Sequence, residues 1–347
     1  MTTKVFDGHN DALSRLWCSM GDPVQEFGQA IGHVNVPNCR AGGMGGGFFA
    51  IFSPPARAVF DFTNFDPAVF NSPLPPMMDE GIALSSAVGQ AAIAHQLHDA
   101  GQIEIVTDAP TLGRAFVDDP VACILHLEGA DCIGPDLLAL DALYALGLRS
   151  LGIVWSRPTI FGDGVPFGFE SDGDTGPGLT DDGKRLVARC KELGIMIDNS
   201  HLTMKGFWDV ADAGLPLVAT HSNAWEVCKT SRNLTDDQLR AIGETGGIAG
   251  LNFATVFLDS AAWKTGKAPM DACIPHLAHM IDVAGEDHVA IGSDFDGAPL
   301  PDPLTSSADL PLLIAAMEHA GFGQTLIDKI THENWLAFLS THLSPAK

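Results

Sequence analysis

The 347-residue chain is 46% hydrophobic and only 18% charged, with 37 glycines, the composition of a folded protein with much apolar surface to bury and many tight turns. A formal net charge of -24, with 19 Lys and Arg in all, excludes the clustered cations that nucleic acid or an anionic membrane surface would require. Seven scattered cysteines, none in a C-x-x-C pair, exclude a disulfide framework and a cysteine metal site.

The chain reaches Lys4 and Asp7 before any apolar stretch of signal-peptide length, and Ser344-Pro345-Ala346-Lys347 carries no lipidation signal. No run approaches the roughly 18 apolar residues of a membrane-spanning helix, so a cytoplasmic protein without membrane partners is expected. Short apolar runs predict strands near 4–8, 48–52, 121–127, 149–154, 195–199, 216–220, 247–253 and 288–293. Amphipathic stretches predict helices over 80–100, 135–146, 181–193, 204–213, 236–244, 273–284 and 308–319, with 323–341 closing the chain. Thr235 followed by Gln238 has the pattern of a capping box, and Gly194 ends the helix before Ile195. Eight strands alternating with helices predict an α/β protein, a (β/α)8 TIM-type barrel occupying 1–347 as one domain. The Pro/Gly-rich segments 53–78 and 158–178 are expected to be long loops that shape the active site.

Barrels of this kind carry their chemistry at the carboxyl ends of the strands. Five predicted strands end in acids and histidines: Asp7-Gly8-His9-Asn10-Asp11, His126-Leu127-Glu128, Asp198-Asn199-Ser200-His201, His221-Ser222-Asn223 and Ser293-Asp294-Phe295-Asp296. Acids and histidines are common enough that one such end decides little; five together are more specific. His9 and Asp11, two apart, share one face of an extended chain and can either chelate a cation or sit in a solvated turn. Glu128 emerges from a strand buried on both faces and needs a partner, which is a basic side chain, a proton or a metal. His201 and His221 are either hydrogen-bonded structural residues or, as a pair on neighbouring strands, ligands. Asp294 and Asp296 fit an Asx turn or a proton carrier at the barrel mouth.

These pieces, with Thr220-His221-Ser222-Asn223, Ser231-Arg232-Asn233-Leu234, Gly292-Ser293-Asp294-Phe295-Asp296-Gly297 and the glycine-rich approach Gly42 to Phe49, resemble the membrane (renal) dipeptidases, zinc-dependent members of the amidohydrolase-like metal-dependent hydrolases. The resemblance runs from residue 7 to residue 297 in the family's order and spacing. It implies a metallo-dipeptidase with two Zn2+ ions: His9 and Asp11 on the first, His201 and His221 on the second, Glu128 and a water or hydroxide bridging them. It further implies Asp294 as the residue that carries the proton from that water to the leaving amine. Arg232 is implied as the partner of the substrate's free carboxylate, a task that suits a guanidinium fork. Small dipeptides, L-Xaa-D-Xaa among them, are the implied substrates, and a homodimer the implied assembly. Where animal relatives have a histidine after the fourth strand, this chain has Trp155 nearby, which either packs the barrel rim or contacts substrate. Two other readings share the fold: a dinuclear amidohydrolase acting on an N-acyl amino acid or a lactone, and a catalytically silent binding protein.

Overall fold

The structure, a computed structural model, describes residues 3–54, 74–117 and 120–343. Among the described residues nine parallel strands form one sheet: β1 (Val5–Asn10), β2 (Met44–Phe52), β3 (Ile103–Ile105), β4 (Val121–Glu128), β5 (Leu148–Gly152), β6 (Met196–Asp198), β7 (Val218–Ala219), β8 (Ile248–Leu251) and β9 (Val289–Ile291). Eight of them run in the order β1-β2-β4-β5-β6-β7-β8-β9. The ring is nearly closed by a parallel bridge between Asn10 and Phe295, where the Asp11 N–H donates to the Phe295 carbonyl at 2.8 Å. This is the expected (β/α)8 architecture.

The ninth strand, β3, was not expected from the sequence; it pairs with Val121–Cys123 at the foot of β4, below the point at which β5 joins that edge. Three residues are too short to show a period. The second strand begins at Met44 rather than 48, so the glycine run is strand and not approach. A Cβ at Gly46 would lie 2.8 Å from that of Ala122, and one at Gly47 2.8 Å from the Asp7 carbonyl, which is why β1, β2 and β4 can pack this closely.

The predicted helices lie at Glu80–Asp99, Leu138–Ala145, Asp181–Leu193, Met204–Asp212, Asp236–Glu244, Cys273–Ala284 and Leu310–His319. The Thr235–Gln238 capping box forms with both of its hydrogen bonds, and Gly194 ends its helix at φ 72°. The last predicted helix is divided into Gln324–Asp328, a π-helical turn Lys329–Glu333, and Asn334–His342. Shorter helices such as Ala12–Ser19 and Ala109–Val117 went unpredicted because they follow strands directly, where the periodicity changes within a few residues. Of the two expected long loops, 158–178 is irregular and is tied down by bridges from Gly164 to Leu202 and from Phe169 to Thr230. Residues 55–73 of the other lie outside the described residues. Among the described residues no helix is long and apolar enough to cross a membrane.

Side-chain alternation along the strands sorts the core into two bodies. Val121, Cys123, Leu125 and Leu127 of β4 face the surrounding helices, as do Ile197, Ala219, Ala249 and Ile291 on other strands. Phe6, Phe48, Ala122, Ile124, Met196, Val218, Ile248 and Ala290 fill the barrel interior. The closing helix stoppers the foot of the barrel with Trp335, which is fully buried, donates from Nε1 to the Ile291 carbonyl at 2.9 Å and packs 4.9 Å from the Phe48 ring. Above this apolar floor β4 continues inward with His126 and Glu128, and β6 with Asp198; the interior turns polar towards the mouth.

Candidate metal centre

Glu128 is the hub of the mouth. Its Oε1 lies 3.7 Å from His9 Nε2, 3.1 Å from His201 Nε2 and 3.6 Å from His221 Nε2. His9 Nε2 is also 3.4 Å from Asp11 Oδ2, and the two imidazole Nε2 atoms of His201 and His221 are 3.1 Å apart. His9, Glu128 and His221 form one group able to hold an ion, and His9, Asp11 and Asp294 a second. The five residues expected as ligands are each at most 5% exposed.

One extra residue in β1 produces this convergence. Asp7 pairs with Gly47 and Asn10 with Phe49, so three steps on β1 face two on β2, a bulge. Phe6 and Gly8 point inward below it; the bulge reverses the alternation, and His9 turns into the barrel instead of outward. At Gly8 a Cβ would lie 2.5 Å from the Thr220 carbonyl and 2.8 Å from Trp335, so glycine alone fits beneath. The barrel is drawn in along the neighbouring β7–β9 wall as well: a Cβ on Gly250 or Gly292 would meet the Thr220 carbonyl at 2.1 or 1.9 Å. This close approach at the end of β7 brings the His221 ring to 3.8 Å from that of His9, tilted by 30°.

Burial dominates the electrostatics. It pushes His201 and His221 well below the usual imidazole range, helped by the positive Arg232 and His9, which leaves both neutral at pH 7 with lone pairs available. Burial likewise raises Glu128 well above the usual carboxyl range, and Asp294 upward. His9 is the exception: burial resists its charge, but Glu128, Asp11 and Asp294 prevail and lift it to about 10. Three carboxyl groups thus demand one positive charge, which a proton on His9 or a bound cation supplies.

A cation fits the residues present. Both nitrogens of His9 and Oδ1 of Asp11 are buried without a hydrogen-bond partner. A side chain at position 297 would strike Asp11 Oδ2 at 2.2 Å and Asp294 Oδ1 at 2.3 Å, and Gly297 leaves that space clear. Imidazole nitrogen and carboxylate oxygen together suit zinc and its neighbours in the first transition row.

The remaining expected residues take distinct places. Asp294 joins the cluster, its Oδ2 accepting from Asn252 Nδ2 at 2.9 Å. Asp296 turns away and accepts from the His33 and Val34 amides at 2.7 and 3.1 Å. Arg232, 2% exposed, donates from Nη1 to the Ser200 carbonyl and to Ser222 Oγ, and from Nη2 to the His221 carbonyl, while its buried Nε lacks a partner. Burial lowers its pKa to about 10, with Asp294 the largest opposing influence. Trp155 sits on the rim, 6.0 Å from the His201 ring and 5.5 Å from Phe167. Asn252, which ties Asp294 to the His221 carbonyl, was missed in the sequence although it directly follows Leu251 at a strand end, where the same rule applies.

The model of the membrane dipeptidase family, peptidase family M19, matches residues 1–342. A metallopeptidase from Rhodobacter sphaeroides, crystallised with a phosphinate mimic of the dipeptide L-Ala-D-Ala, is 45% identical with a TM-score of 0.93, covering 99% of this chain and 100% of its own. Dipeptidase AC, a metallopeptidase of family M19, is 44% identical with a TM-score of 0.92 over the same shares of the two chains. An uncharacterized protein in the pqqA 5' region of Klebsiella pneumoniae is 43% identical over 253 residues, 72% of this chain and 93% of its own.

Proposed function

The chain belongs to the membrane dipeptidase family, peptidase family M19, and from that premise we propose that it hydrolyses small dipeptides, L-Xaa-D-Xaa among them, at a centre of two zinc ions. The observation that carries the reading is the buried convergence of His9, Asp11, Glu128, His201 and His221, with atoms of His9 and Asp11 left unpartnered. His9 and Asp11 would hold one ion, His201 and His221 the other, with Glu128 between them. Zinc bound there supplies Lewis acidity, acidifying water and polarising a peptide carbonyl.

The side chains do the rest. Asp294 stands beside His9 and Asp11, where a carboxyl can carry a proton between water and a leaving amine; burial raises its pKa, and Asn252 holds its carboxyl in place. Arg232, fixed by three acceptors behind it, offers a charged edge to the carboxylate of a dipeptide. Trp155 and Phe167 wall the rim beside His201, where the substrate's side chains would lie and water would be displaced. The L-Ala-D-Ala mimic bound by the Rhodobacter sphaeroides relative supports the stereochemical part of the reading.

Two measurements test it. Purified protein is expected to hold two equivalents of zinc and to cleave members of a panel of L,L- and L,D-dipeptides; protein without stoichiometric metal points to a silent binding protein on the same fold, and metal-loaded protein inert on every dipeptide but active on N-acyl amino acids or lactones points to the other amidohydrolase reading. Arg232→Ala is expected to raise KM for free dipeptides while leaving C-terminally amidated ones nearly unaffected. Equal losses on both would sink carboxylate recognition by Arg232. As one catalytic domain acting in a homodimer, the chain should sediment at twice its 36.6 kDa mass; a monomer would remove that part.

A further inference from the structure

The polar layer beneath the metal centre contains a hydrogen-bond chain whose direction can be read. Asp198, 3% exposed, accepts at Oδ1 from the backbone N–H groups of Ser200 at 3.1 Å and Thr220 at 2.8 Å, and from Ser200 Oγ at 2.6 Å. Its Oδ2 is 2.6 Å from Thr220 Oγ1. That hydroxyl is in turn 2.8 Å from His221 Nδ1. A carboxylate has no proton to give, so the single hydroxyl proton of Thr220 points at Asp198. Thr220 Oγ1 can then only accept from His221, which places the imidazole proton on Nδ1 and leaves the Nε2 lone pair facing Glu128 and His201.

We propose that Asp198 is a positioning residue that, through the Thr220 hydroxyl, selects the tautomer and ring orientation in which His221 can bind a metal ion. The inference rests on His221 being a ligand, as read above, and assigns the tautomer to the last residue of β6. The chain has a built-in inversion. In Asp198→Asn the amide oxygen is retained at the Oδ1 place, where two backbone N–H groups need an acceptor, and the NH2 group faces Thr220. Thr220 then accepts a hydrogen bond from that NH2 and donates its own to His221 Nδ1, which selects the tautomer with the imidazole proton on Nε2 and blocks the lone pair there.

The test is zinc affinity, measured by chelator competition on metal-free protein, with thermal unfolding of each metal-free variant as the control for folding. Thr220→Val keeps the shape and removes the hydroxyl, and should weaken one zinc equivalent by about 10–100-fold. Thr220→Ser restores the hydroxyl and should bind within about threefold of the natural protein, a rescue that a packing role would not produce. Asp198→Asn should lose as much as Thr220→Val. Unchanged affinity in Thr220→Val, or equal loss in Thr220→Ser, overturns the proposal. His221→Ala separates the two readings: if it keeps both equivalents at full affinity, His221 is not a ligand; if it loses one while Thr220→Val does not, only the positioning role falls.

Discussion

Asp294 and Asp296 stand two positions apart, both with left-handed backbone at φ 62° and 64°, and serve opposite purposes. Asp294 enters the centre, whereas Asp296 anchors the 31–35 segment through the His33 and Val34 amides and a 3.2 Å contact with Arg15 Nε. The strand-end pattern selects both aspartates and cannot separate them, because two successive reversals of the turn decide which carboxyl faces inward. If Asp294 carries the proton, Asp294→Asn should lower kcat by about 10²- to 10⁴-fold while metal content measured by mass spectrometry stays at the natural level. Retention of more than a tenth of kcat would remove it from that role. Arg232 shows the same limit: its motif was visible, but its three fixed partners lie 10 to 32 residues away.

Among the elements, β1 and the glycine contacts at β8 and β9 matter most for the centre. The i, i+2 spacing of His9 and Asp11 placed them on one face, but whether that face is the inner one depends on the bulge, which exists only against β2. At the end of β9, Gly292→Ala should push back the Thr220 backbone, and with it His221. Overpacking of this kind costs about 1–3 kcal/mol, and the expected signature is a lowered denaturation midpoint together with weaker zinc binding. A stability loss with zinc affinity intact would show that the glycine serves packing alone. Trp335 gives the contrast: Trp335→Ala opens a cavity at the barrel foot and should cost about 3–5 kcal/mol by urea unfolding, with zinc affinity within about twofold in the protein that remains folded. The bulge and the π-helical turn were invisible beforehand for one reason: each adds a residue to an otherwise regular pattern, and only the partner strand or helix reveals the excess.

For the molecule as a whole, stability and pH are linked through a buried histidine outside the centre, His276. His276 accepts at Nδ1 from the Ala224 N–H at 3.1 Å, contacts the Leu258 carbonyl from Nε2 at 3.0 Å, and is lowered by burial to about 4. Between the unfolded value of about 6.5 and that folded value the unfolded chain binds the proton and the native state refuses it. The stabilisation from neutral His276 is therefore complete above pH 6.5 and is lost as pH falls towards 4, a span worth about 3 kcal/mol. His276→Gln, which can still accept from Ala224 and donate to Leu258, should flatten the slope of unfolding free energy against pH over that window by about one proton. Equal slopes would refute the assignment. By itself the sequence determined the alternation of strands and helices, the eight barrel strands and the strand ends where charge collects, since these follow from local periodicity and from the cost of burying an acid without a partner. Only the tertiary structure decided the facing of His9, the separation of Asp294 from Asp296 and the direction of the Asp198–Thr220–His221 chain. Each depends on which groups from distant segments meet at hydrogen-bonding distance, and nothing local to any one segment records that meeting.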